Sequence, residues 1–408
     1  MSTKGFRRGC LVAITAAVAI APAASEQQKS PKTQVWIDVA THGFAGMPDM
    51  GFMGGMAVGA FGGKSGGNAY GSTRYTGSPG QYLDIAVLNT LKPGVPAQQA
   101  IPAGLKLGKS LDLLPYKAPA GREASPTGEP TDFKVRILIY WGCGSTVRPG
   151  QPTVIEVSST DGKVKASGAM QGRYVPDRTA KVGPGYVTWP NEKNRQNVPS
   201  GASLIGGHAI TGDGMPESLK FQLEASQDFM PKIELRSTGD VDSGITWNWQ
   251  SVGQARGYFL HAIGQKGDAT VFWSSAETGD AGAGIMDYLP PSTVDKWIKE
   301  RVLLGPEVVS CAMPKGIFGA AGGEDSSGGK LRMVAFGPET HFVYPPKPAN
   351  PATPWDPEWN VRVRVKSSTI FPIGMDMSGM DGQDEQPEEK PKEKPKSKMS
   401  LLKGILGG

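Results

Sequence analysis

Cysteine and histidine are scarce in this chain, three and four among 408 residues, and they are scattered. There is no H-E-x-x-H helix motif and no paired Cys/His spacing of the kind that holds zinc. No long apolar helix is present either. The run from Leu11 to Ile20 falls short of the roughly 20 residues that a bilayer-spanning helix needs, and no stop-transfer pattern follows it. No basic helix or groove-reading motif accompanies the net charge of +5, part of which comes from lysines and arginines near the two ends, so a nucleic-acid partner is not expected. Catalytic signatures are incomplete. Gly63-Lys64-Ser65-Gly66-Gly67 fits G-x-S-x-G but lacks the strand before and the helix after that a nucleophile elbow requires. Gly63-Lys64-Ser65 and Gly108-Lys109-Ser110 end like phosphate loops, yet Val58 and Ala103 stand where the first glycine is needed.

What is present begins with Lys4, Arg7 and Arg8, the short apolar run and the small residues Ala21-Pro22-Ala23-Ala24-Ser25. This order reads as a secretory signal peptide over 1–25. Export through the general secretory route is expected over the twin-arginine route, although Phe6-Arg7-Arg8 resembles the latter. Cys10 precedes the apolar run, whereas a lipid-bearing cysteine would follow it. The expected location is the periplasm or cell envelope, with no transmembrane span in the mature chain. Removal of the leader leaves Cys143 and Cys311, an even pair in an oxidising compartment. They form either a disulfide or two buried thiols.

Glycine and proline number 56 and 34, which favours short strands joined by frequent turns. The reading is an all-β protein of two β-sandwich-like domains, with one short helix in the second and a disordered C-terminal tail. The first, β-rich domain covers 33–230. It starts with the alternating segment Gln34 to Ala40 and contains a Gly/Met-rich loop at 43–67. Further strands are expected at Tyr82 to Leu88, Leu105 to Leu111, Phe133 to Trp141, Thr153 to Ser158 and Leu219 to Glu224. The second domain covers 231–372. Its Ile245 to Gln250, Gly257 to Ile263 and Ala269 to Trp273 resemble a fibronectin type III-like or immunoglobulin-like sandwich, with Thr293 to Leu304 as the helix. The tail, 381–408, passes from an acidic block to a Lys/Pro block and ends in an apolar tip, a composition too poor in apolar residues to fold.

Methionine supplies the chemically suggestive pattern. Met47, Met50, Met53 and Met56 recur every third residue near His42, and Met375, Met377 and Met380 form a second patch. Thioethers are soft ligands suited to Cu(I), so copper is the cofactor these patches could take; methionine is equally a flexible apolar filler. His208, His261 and His341 stand alone and read as satisfied strand or loop residues. Asp240-Val241-Asp242-Ser243-Gly244 has too few oxygen ligands for a calcium loop and reads as a hairpin turn. Trp355 to Trp359, after a Pro-rich run, could present a stacking surface for a glycan or an envelope protein, or could simply cover a sheet edge. No catalytic residue is assigned.

Several segments taken together, Tyr140-Trp141-Gly142-Cys143-Gly144, Trp189-Pro190-Asn191, Ala202 to His208, Asp228-Phe229-Met230, Tyr344-Pro345-Pro346 and Trp355 to Trp359, resemble a family of uncharacterised exported proteins of Gram-negative bacteria. That resemblance implies export and carries no activity. The expected function is therefore a non-enzymatic, exported envelope protein that acts through binding or structural interaction. The alternatives are a periplasmic Cu(I) or soft-metal binder using the methionine patches, and an exported hydrolase whose site is not recognised.

Overall fold

The structure is a computed structural model that describes residues 30–46, 68–74, 78–118, 132–161, 163–168, 172–176, 178–319, 329–350 and 353–374. The leader, the seven methionines named above and the tail lie outside the described residues. So does the G-x-S-x-G segment.

The described chain is all-β apart from one short helix and two single 3-10 turns. In order, the strands are β1 (Thr33–Phe44), β2 (Gly80–Asn89), β3 (Ala97–Ala100), β4 (Ser110–Pro115), β5 (Phe133–Trp141) and β6 (Thr153–Thr160). There follow β7 (Lys163–Ser167), β8 (Tyr186–Trp189), β9 (Gly206–Gly212), β10 (Lys220–Leu223), β11 (Leu235–Asp240) and β12 (Gly244–Trp249). The last third holds β13 (Gly257–Lys266), β14 (Ala269–Ser274), α1 (Pro291–Lys299), β15 (Ser310–Met313), β16 (Gly329–Tyr344) and β17 (Trp359–Ile373).

Fourteen strands form one sheet in the order β10-β9-β3-β4-β8-β2-β1-β17-β16-β13-β14-β5-β6-β7, and β11-β12-β15 form a second. The first and last strands lie side by side and parallel, with Thr33 opposite Trp359 and Phe44 opposite Ile370. β14 runs parallel to β5. Sheet hydrogen bonds thus join residues 33–230 to 231–372 at two places.

Several local expectations shift. Leu105 to Leu111 is not one strand: Ala103–Leu105 is a 3-10 turn, Lys106 adopts a left-handed conformation, and β4 starts only at Ser110. Gly108 and the buried Leu105 make that segment a turn before the alternation of Leu111 and Leu113 takes over. The helix ends at Lys299, because Arg301 has positive φ and the chain turns, the Val302 and Leu303 amides donating to the Trp297 carbonyl, before Leu304 bridges to Tyr258. The Asp240 segment is the turn of the β11–β12 hairpin, its carboxylate accepting from the amides of Asp242 and Ser243.

Alternation explains the core. Val35, Ile37 and Val39 of β1, Leu83, Ile85 and Val87 of β2, and Val361, Val363 and Val365 of β17 line one face and join a single large apolar cluster. Trp247, Trp249 and Met313 of the small sheet pack into that cluster as well. Cys143, just after β5, forms a disulfide with Cys311 of β15 and so ties the two sheets together. Arg148 braces this junction by donating to the Cys143 carbonyl at 2.9 Å and to Glu277. Gly142 carries φ of 95°, and a side chain there would strike the Arg148 guanidinium.

Candidate functional site

The opposite face of the central strands carries charge where a solvated surface is the ordinary outcome of alternation. Asp84 of β2, Asp38 of β1 and Arg364 of β17 stand in one cross-strand row, with Lys366 one step further along β17. All four are buried. Segments 68–74 and 280–290 supply the partners that cover this face. Arg364 Nε donates to Asp38 Oδ1 at 2.7 Å, and its Nη2 donates to the second carboxylate oxygen. Lys366 Nζ donates to Asp287 Oδ1 and to the Arg74 carbonyl, each at 3.2 Å. The Tyr288 ring receives both cations, Arg364 at 4.4 Å and Lys366 at 4.6 Å, while its hydroxyl donates to the Val39 carbonyl. Such cation–ring contacts help to hold a charge removed from water.

Burial perturbs these groups in the directions expected of it. Asp84 is pushed up to about 7 by desolvation, with Asp38 adding to the shift and the Thr73 hydrogen bond opposing it. Lys366 is pulled down to about 8, again by burial, against the favourable charge of Asp287. Arg364 moves upward, since Asp38 more than offsets the cost of burial. Arg362, two residues earlier on the same face, is lowered to about 10 by burial and by Arg364. Its Nε and Nη2 have no hydrogen-bond partner among the described residues.

The histidines divide. His42 lies in this layer, its ring nitrogens engaged by the Ser368 hydroxyl at 2.8 Å and the Ser72 carbonyl at 3.1 Å, and burial lowers it to about 3. His208 is satisfied by Gln99 and the Leu204 carbonyl and stacks on Phe221. His261 is buried on β13, lowered to about 3 by burial and Arg332. His341 is exposed against Glu339. Among the described residues, no group of three or more His, Cys, Asp or Glu is arranged to hold a metal ion, and no helix is long and apolar enough to cross a membrane.

No family model, no curated protein and no solved structure matches the chain.

A different kind of site lies at the β14-β5-β6-β7 end of the large sheet. Val135, Ile137 and Ile139 of β5, Ile155 of β6 and Phe272 of β14 form a separate apolar cluster there, with Ala281. A shallow pocket of about 70 Å³ opens beside it, lined by Gly172, Tyr174, Phe272, Ala281, Gly282, Ala283 and Gly284. Tyr174 is 66% exposed. A side chain on Gly284 would lie only 2.4 Å from the Tyr174 ring, so this packing depends on glycine. β7 completes the sheet on this side, and all five of its residues are exposed. The other end differs: β10 buries Phe221 and Leu223, with Phe221 held between His208 and Phe342.

Sequence reasoning missed the ionic layer. Its signal was available as the alternation of Arg362, Arg364 and Lys366 with three valines, and as single aspartates in the middle of β1 and β2. Nothing in the sequence places segments 68–74 and 280–290 over them. The Trp355 indole donates to the Pro345 carbonyl and lies near Lys347, while Trp359 is buried against Tyr344 and Ser218. Trp359 therefore packs in the sheet, and the pair does not form one exposed stacking platform.

Proposed function

We propose that this chain is an exported, non-enzymatic protein of the cell envelope that works by binding a partner at the β5-β6-β7 end of its large sheet. The observation that carries the reading is the edge strand β7, whose five residues are all exposed, Val164 at 65%, and whose outer side pairs with no strand among the described residues. An exposed strand at the edge of a sheet offers unpaired backbone groups and is a ready template for a partner strand. The buried ionic layer supports a binding role in another way. Two of its pairs, Asp38 with Arg364 and Asp287 with Lys366, are spent on one another and so serve to fix the scaffold.

The test is a photo-crosslinking scan of the full chain in intact cells of its source, with the probe placed in turn at Val164, Tyr174, Ile205 and Tyr344. Discrete adducts from envelope fractions are expected at Val164 and Tyr174. Adducts at none of the four positions, or recovery of the protein from the cytoplasm with its leader uncleaved, would sink the reading.

A further inference from the structure

β7 is reached from β6 by a two-residue connection, since Thr160 pairs directly with Lys163. The pair closing such a hairpin is the narrow, doubly hydrogen-bonded kind, and the pattern then alternates along an antiparallel ladder. Lys163, Lys165 and Ser167 therefore turn their backbone groups inward to β6. The N–H and C=O groups of Val164 and Ala166 face outward, where no strand is paired among the described residues.

The side chains alternate across the sheet in the same way. Val164 and Ala166 lie in the rows of Phe133 and Val135, the side of the apolar cluster. Lys163 and Lys165 lie on the other side, Lys165 in the row of Ser158 and Lys134. On this side Lys134 already pairs diagonally with Glu156 of the neighbouring row, at 3.8 Å. An incoming strand thus meets outward backbone groups, the exposed side chains of Val164 and Ala166 on one side and lysines on the other.

We propose that β7 accepts an added strand from a partner protein, namely an extended segment whose side chains alternate between apolar and acidic. Apolar residues of that segment would continue the Val164 side, and carboxylates would face Lys163 and Lys165. A second copy of this chain fits poorly, because antiparallel pairing of two β7 strands sets lysine opposite or diagonal to lysine. The inference rests on the binding reading above and narrows it to one edge and one partner chemistry.

The probe is a fluorescent, end-blocked peptide of alternating valine and glutamate, titrated onto the full-length mature protein and read by anisotropy. Its lysine counterpart serves as the control. Val164→Pro removes one outward N–H and leaves both lysines and the β6 ladder in place, as proline on an outward edge position allows. Binding of the glutamate peptide is expected to weaken by about fivefold in Val164→Pro, the equivalent of one net hydrogen bond. The double variant Lys163→Glu, Lys165→Glu is expected to prefer the lysine peptide.

Equal binding of both peptides to the wild type, or an unchanged affinity in Val164→Pro, overturns strand addition. A concentration-dependent dimer that Val164→Pro abolishes overturns the choice of partner in favour of a second copy. Envelope adducts at Tyr174 with no peptide binding at β7 would leave the binding reading standing and remove this one.

Discussion

Arg364 and Asp38 sit opposite one another on the last and first strands of the described chain and are joined by a two-pronged ion pair buried from solvent. The fork of a guanidinium matches a carboxylate in this way, adding direction to the charge attraction. The parallel pairing of β1 with β17 is thereby pinned at its centre.

Removal of one partner should be far worse than removal of both. Arg364→Ala leaves Asp38 buried beside Asp84 without its cation, and a loss of about 3 to 5 kcal/mol is expected in urea unfolding. The double variant Asp38→Val, Arg364→Met removes the stranded charge and should recover much of that loss. A single variant no less stable than the wild type would contradict the pairing.

Asp84 predicts a pH dependence of definite sign. Its folded value near 7 lies above the ordinary 3.8, so the folded state holds the proton that the unfolded state has released. Its contribution to stability is full below about pH 4 and is lost as the pH rises to 7. His42 and His261, both lowered, act in the opposite sense from about pH 3 to 6.5. Lys366 is charged in both states below about 8 and adds no slope there. The quantity to measure is therefore the difference between Asp84→Asn and wild type. The variant should gain on the wild type from pH 4 to 7 by a few kcal/mol and then hold that difference. A difference independent of pH would refute the assignment.

The Cys143–Cys311 bridge closes a sequence separation of 168 residues between the two sheets. On the loop-entropy model, opening such a loop costs about 5 kcal/mol. Reduction, or replacement of both cysteines by serine, should move the urea midpoint sharply downward, and peptide mapping without reductant should recover the linked pair. An unchanged midpoint would show that packing and the Gly144 to Ala312 hydrogen bond hold the sheets together without the bridge.

Composition and period alone determined the all-β class, the short helix and most strand positions; the Cys143–Cys311 bridge, which the sequence left open against two buried thiols, was decided by the structure. The first three follow from local physics: alternation of side chains across a strand, and glycine and proline at turns. Only the tertiary structure decided that β1 lies against β17, more than 300 residues away in the chain, because strand partners are chosen by register and packing that no local window contains. It also decided the fate of the charged face. Arg362, Arg364 and Lys366 alternate with three valines along β17, and the covering segments with Asp287 and Tyr288 make their face an interior. The open edge at β7 is likewise a matter of position: the sequence marked no strand at Lys163 to Ser167, and among the described residues its place as the last strand of fourteen leaves its outward backbone groups without a paired strand.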